Sequence, residues 1–204
     1  MNNKFSYMYI SSMCAMFIVV PGRFVCALVL LLDLLFVMIT GTLFSYFLKF
    51  IKMEKLKSVL LLFFLIFAVL FFRQILILTM PVLALSLGFI LFLPAISTYT
   101  FSFLFGSKNE NLLSDLRLNS FHILKTSIYG ILISLIRDIL GYGTFTFLGV
   151  NGIIEKVIFP AEHISLCSFI ASVPGALILC SLILIFYILV LKKIDILRKS
   201  GEQI

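Results

Sequence analysis

The chain has no tryptophan, only two histidines and nine acidic residues among 204, and each scarcity closes off a class of function. Lys, Arg, Asp and Glu together make up 12% of the residues. Roughly a quarter of the residues of an ordinary soluble domain are charged, so too little polar surface remains to cover a water-soluble fold. The four cysteines, Cys14, Cys26, Cys167 and Cys180, contain no CxxC pair and lie in or beside apolar runs. That spacing argues against a self-contained zinc site and against a disulfide framework. No GxGxxG follows a strand-like run, so no nucleotide-binding domain is encoded.

What the chain has in abundance is apolar surface. Hydrophobic residues account for 62% of it, phenylalanine alone for 23 positions, and the mean hydropathy is +1.22. A net charge of +7 raises the question of nucleic acid. The Lys and Arg residues fall between apolar runs and form no basic stretch interleaved with aromatics, so nucleic-acid binding is set aside and lipid is the expected solvent. The N-terminus resembles a signal peptide, with Lys4 ahead of an apolar run. No A-x-A-like cleavage site follows, and it reads as a retained first span.

A helix needs about 20 apolar residues to cross a bilayer. Six stretches qualify as candidates: Phe5–Val20, Phe24–Leu48, Val59–Met80, Val82–Phe105, Phe121–Leu140 and Leu166–Leu191. The expected fold class is all-α, a polytopic membrane protein of about six spans forming one transmembrane domain over residues 1–204. Orientation follows from the positive charges. With the N-terminus inside, the cytoplasmic segments hold Lys4, then Lys49, Lys52, Lys55 and Lys57, then Lys108, Arg117 and Lys125, and the tail's Lys192, Lys193, Arg198 and Lys199. The outer side keeps Arg23, Arg73, Arg137 and Lys156. The asymmetry places both termini in the cytoplasm. The outer connection from Gly141 to Ile164 sets Ile153, Ile154, Val157 and Ile158 on one helical face, which suits either a short helix on the membrane surface or a loop packed on the spans.

Few ionisable groups lie inside the spans, and each needs a partner or a wet cavity. Asp33 falls near mid-depth of the second span and Arg73 within the third, and the two are expected to approach each other. Arg137-Asp138 closes the fifth span beside Gly141. Either carboxylate could line an ion path; paired charges fixing helix contacts is the more economical reading. Lys125 and Lys192 lie near span ends and can snorkel. Small residues recur at packing spacing, as Gly130, Ser134 and Asp138, as Ala171 and Gly175, and as Ala84 and Gly88, marking faces of close helix approach. Gly141-Tyr142-Gly143 is expected to end the fifth helix.

Six spans divide into two groups of three, approximately residues 1–80 and 81–192, with a basic tail at 193–204. Since three is odd, such halves have opposite orientations. The first span of the first half ends at Pro21-Gly22, and the first span of the second half is interrupted at Pro94, followed by Ser97-Thr98-Tyr99-Thr100. Broken helices at matching places in inverted halves point to a site near the midplane, and Cys14 lies in the first of them.

Three passages resemble a known family. The run Arg137-Asp138-Ile139-Leu140-Gly141-Tyr142-Gly143-Thr144-Phe145 is similar to an Arg-acid-apolar-apolar-Gly-x-Gly signature. That signature is found in the E subunit of the Rnf electron-transport complex and the D subunit of the sodium-translocating NADH:quinone reductase. Val173-Pro174-Gly175-Ala176-Leu177-Ile178 resembles the Pro-Pro-Gly-Ala-Phe-Ile stretch of the Rnf E subunit. Ser12-Met13-Cys14-Ala15 can be laid on that family's Gly-x-Cys segment. The resemblance implies a membrane subunit of an ion-translocating electron-transport complex in the cell inner membrane, paired with an inverted six-span sister subunit and other membrane subunits. It implies no complete active site in this chain. It further implies a [2Fe-2S] cluster shared with that partner, with Cys14 as a cofactor-binding, iron-ligating residue. The family's second cysteine falls on Pro94, which has no side chain able to ligate iron. A non-redox transporter or an assembly subunit on the same scaffold is the alternative.

Overall fold

The computed structural model describes residues 15–52, 56–97, 99, 112–149, 152–159 and 168–201. A short helix over residues 15–19 stops at Pro21-Gly22, and α1, Phe24–Phe50, starts two residues later. Its Leu-, Val- and Phe-rich run contains no proline. Lys49 in its last turn complements the carbonyl end of the helix dipole, and Lys52 in the left-handed region turns the chain. α2, Lys57–Thr79, then runs back along α1. The two fit closely because Gly41 leaves room for Leu65, whose Cδ2 would lie 2.8 Å from any Cβ added there. Phe44 stacks on Phe64 at 3.9 Å between centroids, and Phe36 meets Phe71 and Phe72.

Pro81 cannot continue the amide ladder of α2, and it opens α3, Pro81–Leu87, at a position where its missing N–H is not needed. Gly88, at φ 43°, ends α3. A 3-10 turn over Gly88–Phe92 and a helical turn over residues 93–97 follow. The fourth candidate span is therefore broken earlier than expected. The interruption lies at Gly88–Phe92, and Pro94 sits in the first turn of the next helical segment, where proline is tolerated.

α4, Leu112–Ile136, passes directly into a π-helical turn, Arg137–Tyr142. Gly143, at φ 66°, donates its N–H to the Ile139 carbonyl at 3.1 Å and ends the helix, as its position in the sequence predicts. The next segment corrects two expectations. Instead of an outer surface helix there is an antiparallel hairpin, β1 Thr144–Gly149 and β2 Gly152–Val157, in register from Thr144 with Val157 to Gly149 with Gly152. The fold class is accordingly mostly helical rather than all-α. Thr144-Phe145-Thr146-Phe147 alternates with the period of a strand, and β-branched Ile153, Ile154 and Val157 suit its partner. Gly152, at φ 136°, supplies the backbone geometry for a two-residue connection.

The sixth candidate span is also interrupted. α5, Ser168–Ala171, stops at Ser172, and α6 runs Val173–Gly201. Gly175 sits against the Phe169 carbonyl so closely that no Cβ fits. Among the described residues three helices, Phe24–Phe50, Lys57–Thr79 and Val173–Val190, are long and apolar enough to cross a bilayer, which marks a multi-pass membrane protein. The core gathers around α1: Leu30, Leu34 and Val37 are fully buried with Phe17, Leu65, Leu91 and Ile133. Phe63 and Leu78 on α2, Phe89, and Phe186 on α6 are exposed, as a surface solvated by lipid requires.

Candidate functional site

The two interrupted segments meet. Ser97, in the turn over residues 93–97, directs its hydroxyl to the Met16 sulfur at 3.1 Å while also donating to the Pro94 carbonyl at 2.9 Å. Met16, Pro94 and Ser97 are all buried. Phe17, one residue on, fills the space left by Gly130 of α4, where its ring would collide with any side chain. The short helix before Pro21-Gly22 and the helical turn after the interruption at Gly88–Phe92 thus lie in contact.

Around the first break, two consecutive residues of the π-helical turn complete the backbone bonding. A helix end leaves amides or carbonyls without intrahelical partners, and hydrocarbon offers no water to satisfy them. Arg137, 2% exposed, takes the carbonyl ends. Its Nη1 donates to the carbonyls of Phe17 and Val20 at 2.9 Å each, and its Nη2 donates to the Ala171 carbonyl at 2.9 Å. Asp138, fully buried, takes the amide end. Its Oδ2 accepts from the Phe24 N–H at 3.2 Å and from the Thr146 N–H and hydroxyl at 2.8 and 2.7 Å. Its Oδ1 accepts from the Thr144 hydroxyl at 3.2 Å. The Thr146 Oγ1 accepts in turn from the Val25 N–H at 3.3 Å. The residue preceding α1, Arg23, makes no side-chain cap of its own, so the helix is capped from elsewhere in the chain.

Each charge also complements the helix terminus it meets, a cation at carbonyl ends and an anion at an amide end. Close contacts hold the arrangement. Gly141 touches the Ala171 backbone, where a Cβ would lie 2.9 Å from its N and Cα, and Gly22 sits beneath Tyr142. Beside the hairpin, Arg23 pairs with Glu155 of β2 and stands 5.7 Å from the Tyr142 ring centroid. Phe24 stacks on Phe145 at 5.4 Å and meets Phe147 edge-on. The sequence singled out Arg137 and Asp138 but not Thr144 and Thr146. The available signal was the Thr-Phe alternation immediately after the acidic residue.

Asp33 and Arg73 behave differently from expectation. The ring contacts of α1 with α2 set an antiparallel register in which residues 33 and 73 stand at the same level. No ion pair joins them, however. Among the described residues both Asp33 oxygens lack a hydrogen-bond partner, as does the buried Arg73 Nε. Packing along the α1–α2 seam is set by Phe36, Phe44 and Gly41, and it does not bring the two charged groups into contact.

Among the described residues no set of side chains matches the cluster that the family resemblance implies. Cys14 lies outside the described residues, as does Cys167. Cys26 and Cys180 are buried and form no disulfide. Pro94, which the resemblance sets against the family's second cysteine, has no side chain able to ligate iron, and the neighbouring Tyr99 has its hydroxyl engaged with Ser58 at 2.7 Å. Among the described residues no group of three His, Cys, Asp or Glu side chains could hold a metal ion. No protein-family model, curated protein or solved structure matches the chain.

Proposed function

We propose that this chain is a membrane-embedded subunit of an ion-translocating electron-transport complex of the Rnf type, crossing the bilayer about six times as two inverted halves with both termini in the cytoplasm. The observation that carries the reading is the meeting of two interrupted helical segments at Met16 and Ser97. Broken helices in corresponding positions of inverted halves are where such membrane proteins place their working site. The resemblance at Arg137 through Phe145 and at Val173 through Ile178 supplies the family, and both passages stand at the clamp that fixes the first break. An inverted sister subunit is the expected partner.

In this reading the chain supplies the membrane scaffold beside the electron path. It binds no nicotinamide and contributes no complete cluster. Arg137 and Asp138 hold the ends of the broken helices, and the apolar faces of α2 and α6 meet lipid or neighbouring subunits. A second reading is favoured by Pro94 standing where the family carries its second cysteine: a non-redox transporter or assembly subunit built on the same scaffold.

Purifying the chain with its co-migrating partners and recording iron content with the reduced-state EPR spectrum separates the two. The first reading expects a six-span sister subunit, an iron–sulfur and flavin subunit, and a [2Fe-2S] signal from the assembly. An intact assembly without iron and without such partners overturns it in favour of the second. A Cys14→Ser variant that leaves an existing signal unchanged removes Cys14 from the ligand set.

A further inference from the structure

The two faces of the β1–β2 hairpin differ in what they meet. Directly paired residues of an antiparallel ladder share a face, and neighbours along a strand alternate. The register therefore sets Thr146, Leu148, Ile153 and Glu155 on one face and Phe145, Phe147, Ile154 and Lys156 on the other. The first face is turned to the protein. Thr146 is bonded to Asp138, Glu155 pairs with Arg23, and Leu148 and Ile153 pack against the core. The second face is apolar and open. The Phe24 ring rests against Phe145 and Phe147, yet Phe147 remains 49% exposed and Ile154 60% exposed. Lys156 is exposed beside them, as are Val157, Ile158 and Phe159 where the chain leaves β2.

The level of this face in the bilayer follows from α1. Lys49 in the last turn marks one boundary of that helix, and about 20 residues cover the hydrocarbon. Counting that length back from Lys49 reaches Val29, so Phe24 stands about one turn beyond the hydrocarbon, among headgroups. Asp138 and Thr146 bond the hairpin to the first turn of α1, which puts β1 and β2 at the same level. Water there would leave the Phe147 and Ile154 face hydrated at a cost. The hydrocarbon core excludes the hairpin as a whole. Among the described residues its sheet has two strands, and their outer edges carry N–H and C=O groups that hydrocarbon cannot satisfy. The boundary between headgroups and acyl chains meets both demands: the apolar face enters it and the edges stay wet. The charge fits as well. Arg23 neutralises Glu155, leaving Lys156 as the net charge of the hairpin, on the apolar face, with a stem long enough to lift its ammonium to phosphate.

We propose that the β1–β2 hairpin is a membrane-surface anchor, with the face of Phe147 and Ile154 seated at the acyl-chain boundary and Lys156 engaging the phosphate of an anionic lipid. Thr146 on the opposite face bonds Asp138, so the element that meets lipid also holds the clamp on the broken helices. The inference rests on α1 crossing the bilayer and is independent of the electron-transport reading.

The absence of tryptophan from the chain makes the test direct. Ile154→Trp and, separately, Phe147→Trp are introduced into the full chain in vesicles of phosphatidylcholine and phosphatidylglycerol. The acyl chains are brominated either near the carbonyl or near the tail. Each variant, at an exposed position, is expected to show blue-shifted emission, stronger loss of emission to the shallow bromines than to the deep ones, and little loss to aqueous acrylamide. Leu182→Trp, exposed at the middle of the Val173–Val190 span, is the control and is expected to lose more to the deep bromines. Loss to acrylamide without loss to bromine overturns the proposal. Protection from both quenchers also overturns it, by placing a protein partner over the face, and stronger loss to the deep bromines overturns the boundary position. Lys156→Gln in the Ile154→Trp chain is expected to weaken shallow quenching in vesicles containing phosphatidylglycerol and to leave it unchanged in phosphatidylcholine alone. An equal effect in the two vesicles, or none in either, overturns the phosphate contact.

Discussion

Asp138 offers the sharpest test of the clamp, because substitutions can separate its charge from its acceptor geometry. Replacing it with alanine removes four hydrogen bonds and leaves the Phe24 and Thr146 amides buried without an acceptor. An orphaned buried amide costs about 1–3 kcal/mol, so Asp138→Ala is expected to destabilise by about 4 kcal/mol. For a chain of this size about 1 kcal/mol corresponds to about 2–4 °C, giving a fall in Tm of about 8–16 °C. Asparagine is different. Its amide oxygen can take the place of Oδ2 and accept from the same three donors, while its NH2 can donate to the Thr144 hydroxyl oxygen. Only the charge is lost, worth about 1 kcal/mol at a helix N-terminus, or about 2–4 °C. Thr146→Val falls between, and Asp138→Ala combined with Thr146→Val should cost less than the sum, since both remove the same bond. The buried thiols of Cys26 and Cys180 provide the assay. In a background with Cys14 and Cys167 replaced by serine, a thiol-reactive fluorogenic dye reports unfolding in detergent as temperature rises. If Asp138→Asn is as damaging as Asp138→Ala, the acceptor geometry is not what matters and the reasoning fails.

Other expectations follow from single contacts. Gly130→Ala places a methyl group within the Phe17 ring. It should lower Tm by several degrees, and Phe17→Leu in the same chain should recover part of the loss if that contact is the cause. Arg23→Gln removes a half-exposed pair with Glu155. Such pairs are worth about 0–1 kcal/mol and are screened by salt, so the Tm difference from wild type should be small at low salt and vanish at high salt. Arg137→Lys retains the charge but cannot fork between the carbonyls of Phe17, Val20 and Ala171. It should recover only part of the stability that Arg137→Met loses in the same dye assay.

The legible parts of this fold were those governed by composition. Three long apolar helices and the punctuation at Pro21-Gly22, Pro81 and Gly143 can be read because hydrocarbon and proline impose the same constraint wherever they occur. The hairpin was missed because the helical grouping of Ile153, Ile154, Val157 and Ile158 competed with a strand alternation that Thr144-Phe145-Thr146-Phe147 carries more plainly. Once Thr146 is needed to bind Asp138, the strand is favoured. The break at Gly88–Phe92 was misplaced onto Pro94, because a proline signals interruption from sequence alone, whereas a helical first turn accepts it at no loss. The expected contact of Asp33 with Arg73 depended on rotation of α2 about its own axis, which aromatic packing against Phe36 and Phe44 decides and which no local pattern records.

An acidic residue next to an arginine invites the reading of an ion pair, and here that reading fails for a definite reason. Arg137 and Asp138 bond to backbone groups of opposite polarity, the carbonyls ending one helical segment and the amide opening the next. The distinction has a measurable consequence. A buried ion pair can often be exchanged for well-packed apolar residues at little loss, because both charges leave together. Here the partners are main-chain groups that no substitution removes. Arg137→Leu with Asp138→Leu would strand the Phe17, Val20 and Ala171 carbonyls together with the Phe24 and Thr146 amides. The double variant should therefore be at least as unstable as Asp138→Ala alone. A double variant more stable than either single alanine substitution would show instead that the two charges act on each other, and that the broken helices find their bonding elsewhere.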